Sequence, residues 1–147
     1  MDAVNPAGRG KISAADAPAS KVNAAAGNSI CVVDDDDSVR DSLTTLLETH
    51  GFDVLAYGSG REFLADERRR NAACLILDQH MPGLDGLDTL AGLRADGIVT
   101  PAILVSGRSD QMLIERAKSL QVIAILEKPF SVSRLLDLVR ATRNFAC

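Results

Sequence analysis

The 147 residues suffice for one domain with a hydrophobic core and leave no room for a second catalytic domain. Hydrophobic residues make up 46% of the sequence and charged residues 24%, which argues against a disordered chain. The net charge of -4, with only four Phe and one Tyr, argues against direct nucleic-acid binding, because such binding uses cations and aromatic rings.

The N-terminal segment differs in composition from the rest of the chain. Residues 1–28 are rich in Ala, Gly, Pro, Ser and Asn, and their branched aliphatic residues are Val4, Ile12 and Val22. Such a segment cannot bury a core, so we expect a flexible tail before a folded domain at 29–147. It lacks the pattern of a signal peptide, and no apolar run reaches the roughly 18 residues of a membrane helix. We expect no membrane contact.

The three cysteines are far apart, odd in number and form no Cys-x-x-Cys pair, so they predict neither a zinc site nor a disulfide framework. Cys31 and Cys74 lie inside apolar runs, and we expect them to be small core residues. Cys147 ends the chain. This use of cysteine fits a reducing compartment, and we expect a cytoplasmic location.

Five segments after the tail predict β-strands. Four are uninterrupted apolar runs and one is a weaker alternating segment; in chain order they are residues 30–33, 52–57, 74–77, 102–105 and 122–126. Uninterrupted runs of four or five apolar residues are typical of strands that are buried on both faces of a parallel sheet.

Amphipathic stretches between the strands predict helices. Those with apolar residues on one face are residues 39–47, 84–93, 112–120 and 132–139. The basic run 68–70 follows Asp66 and Glu67, an arrangement typical of a solvated helix end. The expected N-caps are Ser38, Asp110 and Ser131. The alternation predicts five βα units in a doubly wound α/β domain with right-handed crossovers.

Polar residues follow four of the predicted strands, at the point where each strand ends. Asp34 and Asp35 follow the first strand, Asp78 the third, Ser106 the fourth, and Lys128 comes just after the fifth. The carboxyl ends of parallel strands share one edge, where open α/β folds bind ligands. A single Asp after a strand is usually a turn former or a helix cap. Agreement at four strand ends predicts a functional site.

The charges at this edge indicate the chemistry. Three clustered carboxylates raise each other's pKa unless cations neutralise them. Lys128 supplies one cation, and a hard, oxygen-seeking ion, Mg²⁺ or Mn²⁺, would supply the other. Mg²⁺ takes one or two carboxylates together with phosphate oxygens. We therefore predict a site that accepts a phosphoryl group, with Asp78 as the attacking group.

Four sequence motifs resemble those of response-regulator receiver domains, in the same order and with the same spacing. They are Val32-Val33-Asp34-Asp35-Asp36, Leu77-Asp78-Gln79-His80-Met81-Pro82-Gly83, Val105-Ser106-Gly107 and Glu127-Lys128-Pro129-Phe130. The resemblance covers about residues 29–145. It implies a flavodoxin-like fold, with five parallel strands in the order 2-1-3-4-5 flanked by five helices, and a single-domain regulator of two-component phosphorelay signalling.

The resemblance implies a metal centre built around a phosphoacceptor. Asp78 would accept the phosphoryl group, Asp35 would bind the metal ion directly, and Asp34 would bind it often through water. Asp78 itself and the backbone carbonyl of His80 would complete the protein ligands. The donor would be a phosphohistidine on a sensor histidine kinase or a histidine phosphotransfer protein. The chain would be a switch that assists its own phosphorylation and dephosphorylation, not an enzyme.

Three further residues are implied to surround the phosphoryl group. The hydroxyl of Ser106 would follow it, and the ammonium of Lys128 would pair with it. Gly107 is small and leaves the acceptor open to the donor. The resemblance also implies a cis peptide bond between Lys128 and Pro129.

Two positions depart from the family pattern. Ile125 stands where many receivers carry a Tyr or Phe whose rotation reports phosphorylation, so we do not expect an aromatic switch at this position. Gln121 replaces a Gly that is often found before the last strand. We expect phosphorylation to change partner binding or homodimerisation through the surface formed by residues 110–120, 122–126 and 131–143.

Two side chains are expected to control how long the phosphoryl group persists. His80 and Arg108 should flank the approach of water to the acyl phosphate, and Arg108 can hold a phosphoryl oxygen through paired donors. We predict slow hydrolysis. The alternative is that both side chains point into solvent, so that the metal ion and Lys128 alone set the rate.

Two other functions remain open on the sequence. A haloacid-dehalogenase-like phosphatase would use Asp34 as nucleophile and Asp36 as acid and base, because the first strand is followed by Asp-x-Asp. It also requires a late acidic pair, whereas the only acid after Lys128 is Asp137. A degenerate receiver that only binds partners would take no phosphoryl group. Mapping the labelled residue distinguishes Asp78, Asp34 and no labelling.

Overall fold

Five strands and five α-helices alternate along the chain in the computed structural model, which describes residues 29–146. In chain order they are β1 (Ser29–Val33), α1 (Asp37–Thr49), β2 (Asp53–Tyr57), α2 (Gly60–Ala65), β3 (Ala72–Asp78), α3 (Gly86–Ala95), β4 (Ala102–Ser106), α4 (Gln111–Ser119), β5 (Val122–Glu127) and α5 (Val132–Ala146). A 3₁₀ helix at Glu67–Asn71 joins α2 to β3. Within the described part of the chain, no helix is long and apolar enough to cross a bilayer. The expected tail and Cys147 lie outside the described residues.

The strands form one parallel sheet in the order β2-β1-β3-β4-β5, so the predicted doubly wound α/β fold is confirmed. Successive side chains of a strand point to opposite faces, and the core accordingly has two layers. Cys31 lies in one layer, with the helices α3 and α4. Cys74 lies in the other, with α1 and α5. Both cysteines are buried core residues, as predicted.

Helix α1 begins earlier than the sequence suggested. Its N-cap is Asp36, whose carboxylate accepts hydrogen bonds from the backbone N–H groups of Ser38 and Val39 at 2.9 and 3.2 Å. The prediction that Ser38 is the cap was wrong, because the acidic run offers a stronger acceptor two residues upstream. Asp110 and Ser131 accept backbone hydrogen bonds at the starts of α4 and α5, as predicted.

The basic run at residues 68–70 lies in the 3₁₀ helix, but its central residue is not solvated. The side chain of Arg69 is 5% exposed. Its guanidinium donates to the carboxylate of Asp96 at 2.8 Å and to the backbone carbonyl of Asp66 at 3.1 Å. The expectation of a solvated helix end is therefore wrong for Arg69, because a carboxylate 27 residues away in the sequence pairs with it inside the fold.

Candidate functional site

Three carboxylates meet at the carboxyl edge of the sheet. Asp34 and Asp35 follow β1, and Asp78 is the last residue of β3, which pairs with β1. One oxygen from each carboxylate lies within 4.8 Å of the other two. Asp34 and Asp78 are buried, with 3% and 4% exposure, whereas Asp35 is exposed. The site thus has a buried floor and one open side.

Asp34 occupies a position that is unfavourable for its ionised form. Burial raises the pKa of Asp34, and the negative charges of Asp78 and Asp35 raise it further. The backbone N–H of Asp36 donates to Asp34 Oδ1 at 2.9 Å and, with the charge of Lys128, opposes this shift. Lys128 and this hydrogen bond therefore offset only part of the rise in the pKa of Asp34. The donor set consists of hard oxygen atoms, which suits Mg²⁺ or Mn²⁺.

Lys128, the residue after β5, brings a cation to the cluster. Its ammonium Nζ lies 3.2 Å from Asp78 Oδ1, and its backbone N–H donates to the carbonyl of Ser106 at 2.9 Å. The Lys128–Pro129 peptide bond is cis, as the resemblance implied. Two residues that are 50 positions apart in the sequence are therefore paired in the site.

Ser106 ends β4 as a fully buried hydroxyl beside the acidic cluster. Its Oγ donates to the backbone carbonyl of Arg108 and lies 3.4 Å from Nε2 of His80. His80, Ser106 and Arg108 line an open cavity of about 330 Å³ that continues toward α4. Gly107 is exposed, and a Cβ built on it would lie 3.9 Å from His80 Nε2. The four residues predicted for this side of the site are thus adjacent.

The remaining predicted position lies behind the site. Ile125 of β5 is partly buried and packs against the core layer that contains Leu104. Gln121, just before β5, has a φ of 63°, which is the left-handed region. The backbone therefore keeps a conformation that favours Gly even though a Gln occupies the position.

Two residues that the sequence analysis did not single out hold the loops of the site. Arg40, one turn into α1, donates to the backbone carbonyl of Asp34 at 2.7 Å and also pairs with Asp37. Glu127 accepts hydrogen bonds from both the backbone N–H and the hydroxyl of Ser109, at 3.0 and 3.1 Å. No sequence pattern marks either contact, because each joins a side chain to a loop whose path the sequence does not specify.

The family model of the response regulator receiver domain matches residues 30–140, which include the acidic cluster, Ser106 and Lys128. The chain belongs to this family. It contains the receiver domain of a two-component response regulator.

Relatives and solved structures agree with this assignment. Nodulation protein W of Bradyrhizobium diazoefficiens is 40% identical over 112 residues, which are 76% of this chain and 49% of the relative. Transcriptional regulatory protein FixJ of the same species is 35% identical over 76% of this chain and 55% of its own length. The structure of the Francisella response regulator 1452 receiver domain superimposes with a TM-score of 0.75 at 30% identity, covering 82% of this chain and 100% of that one.

The chain spans about half the length of the curated relatives it matches. In each of these relatives, about half of the sequence lies outside the matched region. The assignment therefore concerns the receiver domain, and what the whole protein binds or regulates is a separate question.

Proposed function

We propose that this receiver domain accepts a phosphoryl group on Asp78 from a phosphohistidine of a sensor histidine kinase or a histidine phosphotransfer protein. The observation that carries the proposal is the pairing of Lys128 Nζ with Asp78 Oδ1 at 3.2 Å, beside two further carboxylates at the same sheet edge. An acceptor carboxylate, an ammonium and a cation-binding acidic cluster are what phosphoryl transfer requires, because the transferred group carries charge on all its oxygens.

Asp34, Asp35, Asp78 and the backbone carbonyl of His80 would hold Mg²⁺ or Mn²⁺. When bound, the ion offsets the charge of the carboxylates and of the incoming phosphoryl oxygens. Burial supports this proposal: the buried Asp34 forms the floor of the site, and the exposed Asp35 leaves one side open to solvent.

The chain's own residues have distinct parts in the proposed step. An Asp78 oxygen attacks phosphorus, a P–O bond forms, and the P–N bond to the donor imidazole breaks, with the imidazole nitrogen taking up a proton from water. Lys128 stays paired with the developing negative charge. Ser106 exchanges its bond to the Arg108 carbonyl for a phosphoryl oxygen, which moves the loop that begins α4.

The output side of the proposal follows from those connections. Ser106 and Lys128 lead directly into α4 and α5, so phosphorylation is expected to alter the surface of residues 110–120, 122–126 and 131–143. Ile125 has no aromatic ring to rotate, so loop and backbone shifts would transmit the change. We propose homodimerisation or partner binding through this face. We also propose that the receiver domain begins near residue 29 and that the protein is located in the cytoplasm.

Phosphorylation with acetyl phosphate or a phosphorylated histidine kinase, followed by mapping of the modified residue, tests the function. Wild-type protein with Mg²⁺ is expected to be labelled on Asp78, and Asp78→Asn or EDTA is expected to abolish labelling. Asp41→Asn, an exposed acid of α1, is the matched control and should be labelled normally. Labelling of Asp34 would support the phosphatase alternative, and no labelling of the wild type would support a receiver that only binds partners.

A further inference from the structure

Gln79, the residue after the proposed acceptor, ties the end of β3 to its neighbours through its backbone. Its N–H donates to the carbonyl of Val105 in β4 at 2.8 Å. Its carbonyl accepts from the N–H of Gly86, the first residue of α3, at 3.1 Å. The residue is 8% exposed, so these bonds are made inside the protein. The two residues that flank the loop at residues 80–85, Gln79 and Gly86, are therefore hydrogen-bonded to each other.

The side chain of Gln79 makes a further hydrogen bond between the two ends of the loop at residues 80–85. Its amide oxygen Oε1 accepts from the backbone N–H of Leu87 at 2.9 Å. Leu87 is the second residue of α3, and its N–H is one of those that no carbonyl of the helix itself can satisfy. Asp85, the N-cap, serves a different N–H, that of Asp88. The helix start is thus held both by its own cap and by the residue beside the acceptor.

The contact between β3 and the start of α3 is close enough to exclude any side chain at Gly86. A Cβ on Gly86 would lie 2.6 Å from the carbonyl oxygen of Asp78 and 3.0 Å from Oε1 of Gln79. Because the junction is this tight, we expect a loss of the Gln79–Leu87 hydrogen bond to displace the loop at residues 80–85.

His80 is the next residue in this loop, and its backbone carbonyl is one of the four protein groups proposed to hold the metal ion. We propose that Gln79 is a positioning residue for the metal centre: its amide, bonded to Leu87 N–H, fixes the 80–85 loop so that the His80 carbonyl is presented to the ion. This inference rests on the proposed function. Residues that orient metal ligands commonly change metal affinity by about 10- to 100-fold when they are replaced.

The direct test is the dissociation constant for Mn²⁺, measured without phosphorylation by the electron paramagnetic resonance signal of free Mn²⁺. Gln79→Met keeps the volume of the side chain and removes the strong acceptor, and it is expected to weaken Mn²⁺ binding about tenfold. Gln79→Asn keeps an amide but is one methylene too short to reach Leu87, and the same loss is expected. Gln79→Glu keeps an oxygen at the right reach and should bind Mn²⁺ at least as tightly as the wild type.

A matched control separates positioning from general destabilisation. Ser59→Ala removes the N-cap of α2, which accepts from Glu62 N–H at 3.1 Å, and α2 supplies no residue to the acidic cluster. It is expected to lower stability as much as Gln79→Met while leaving Mn²⁺ affinity unchanged.

Three results would overturn the inference: wild-type affinity in Gln79→Met and Gln79→Asn, an equal loss in Gln79→Glu, or an equal loss in Ser59→Ala. If Gln79→Met does not fold, Gln79→Asn and Gln79→Glu still decide the matter. Wild-type protein that binds no Mn²⁺ would instead reject the proposed metal centre itself, so the two failures are distinguishable.

Discussion

At Asp34, the proposed metal site requires an ionised carboxylate, whereas the same charge lowers the stability of the metal-free fold. Its pKa is higher in the folded protein than in an unfolded chain because of burial and the charges of Asp78 and Asp35. The folded state therefore binds protons more readily, and the ionised side chain destabilises the metal-free protein at neutral pH. This cost is absent below the unfolded pKa of about 4 and grows as pH rises through the raised folded pKa.

We predict that Asp34→Asn raises the free energy of unfolding of the metal-free protein at pH 7. The amide oxygen can still accept the N–H of Asp36, while the unfavourable charge is gone. Urea denaturation at pH 7 and pH 4 measures the effect, and the advantage of the variant should shrink at the lower pH. Addition of Mg²⁺ should stabilise the wild type more than the variant. Asp41→Asn, outside the cluster, should show neither effect; a less stable Asp34→Asn would contradict the argument.

The proposed lifetime of the phosphoryl group also depends on single residues. His80 and Arg108 are both exposed and both line the cavity next to Ser106. We propose that they obstruct water approaching the phosphoryl group on Asp78. We predict that Arg108→Ala, and more strongly the double variant with His80→Ala, speeds dephosphorylation about tenfold, equivalent to about 1.4 kcal/mol of barrier. Decay of the radiolabelled protein measures the rate.

The control for this prediction is Lys118→Ala, which removes an exposed cation of α4 away from the cavity lining. Unchanged or slower decay in both the single and the double variant would show that the side chains point into solvent, so that Lys128 and the metal ion alone set the rate.

At the scale of elements, a partly buried polar contact joins β2 to the segment after α2. The hydroxyl of Tyr57 donates to Asp66 at 2.8 Å, and Arg68 donates to the same carboxylate at 2.8 Å. Although burial pushes the pKa of Asp66 upward, hydrogen bonds from Arg68 and Tyr57 prevail and hold it at about 2. A lowered pKa means that ionised Asp66 stabilises the fold above the unfolded pKa of about 4, and that this stabilisation is lost as pH falls toward 2.

We predict that Asp66→Asn lowers the free energy of unfolding by about 1 kcal/mol at pH 7, because charge-assisted hydrogen bonds are replaced by neutral ones. The difference from the wild type should narrow between pH 4 and pH 2. Thermal or urea denaturation across that range measures it. Glu67→Gln, an exposed acid of the same 3₁₀ helix, should cost little at any pH. A pH-independent loss in Asp66→Asn would mean that its charge is not the source of the stability.

The elements also show where sequence reasoning succeeds. Four apolar runs and one alternating segment predicted the five strands, and the polar residues after four of them predicted which side chains would meet, because parallel strands share a carboxyl edge. Asp78 and Lys128 could be paired in this way despite their separation of 50 residues.

The contacts that fix loops could not be predicted in this way. Arg94 donates to the backbone carbonyls of Ile98, Thr100 and Leu120, and so joins the end of α3 to the start of β4 and the end of α4. Backbone carbonyls occur at every position, so the spacing of residue types in the sequence cannot predict which carbonyls Arg94 binds. The same holds for Gln79, whose side chain accepts a hydrogen bond from a backbone N–H at the start of α3.

At the scale of the whole molecule, exposed apolar side chains are unevenly distributed over the described residues. Met112 on α4, Ile123 on β5 and Val132 at the start of α5 are 81%, 44% and 49% exposed. All three belong to the face through which the signal is proposed to leave. Val99, 74% exposed, lies in the loop before β4, outside that face. Exposed apolar residues that share one face mark a surface for association.

We predict that the protein dimerises through this face when phosphorylated, because the proposed shift of Ser106 and Lys128 would rearrange α4 and α5 around the exposed apolar residues. Sedimentation with and without beryllofluoride and Mg²⁺ should show the mass rising from 15.6 kDa to twice that value. Met112→Glu should abolish the rise, since a charge would be desolvated at the interface. Val99→Glu adds the same charge outside the face and should dimerise normally. An unchanged wild-type mass would reject dimerisation as the switch, and dimerisation of Met112→Glu would place the interface elsewhere.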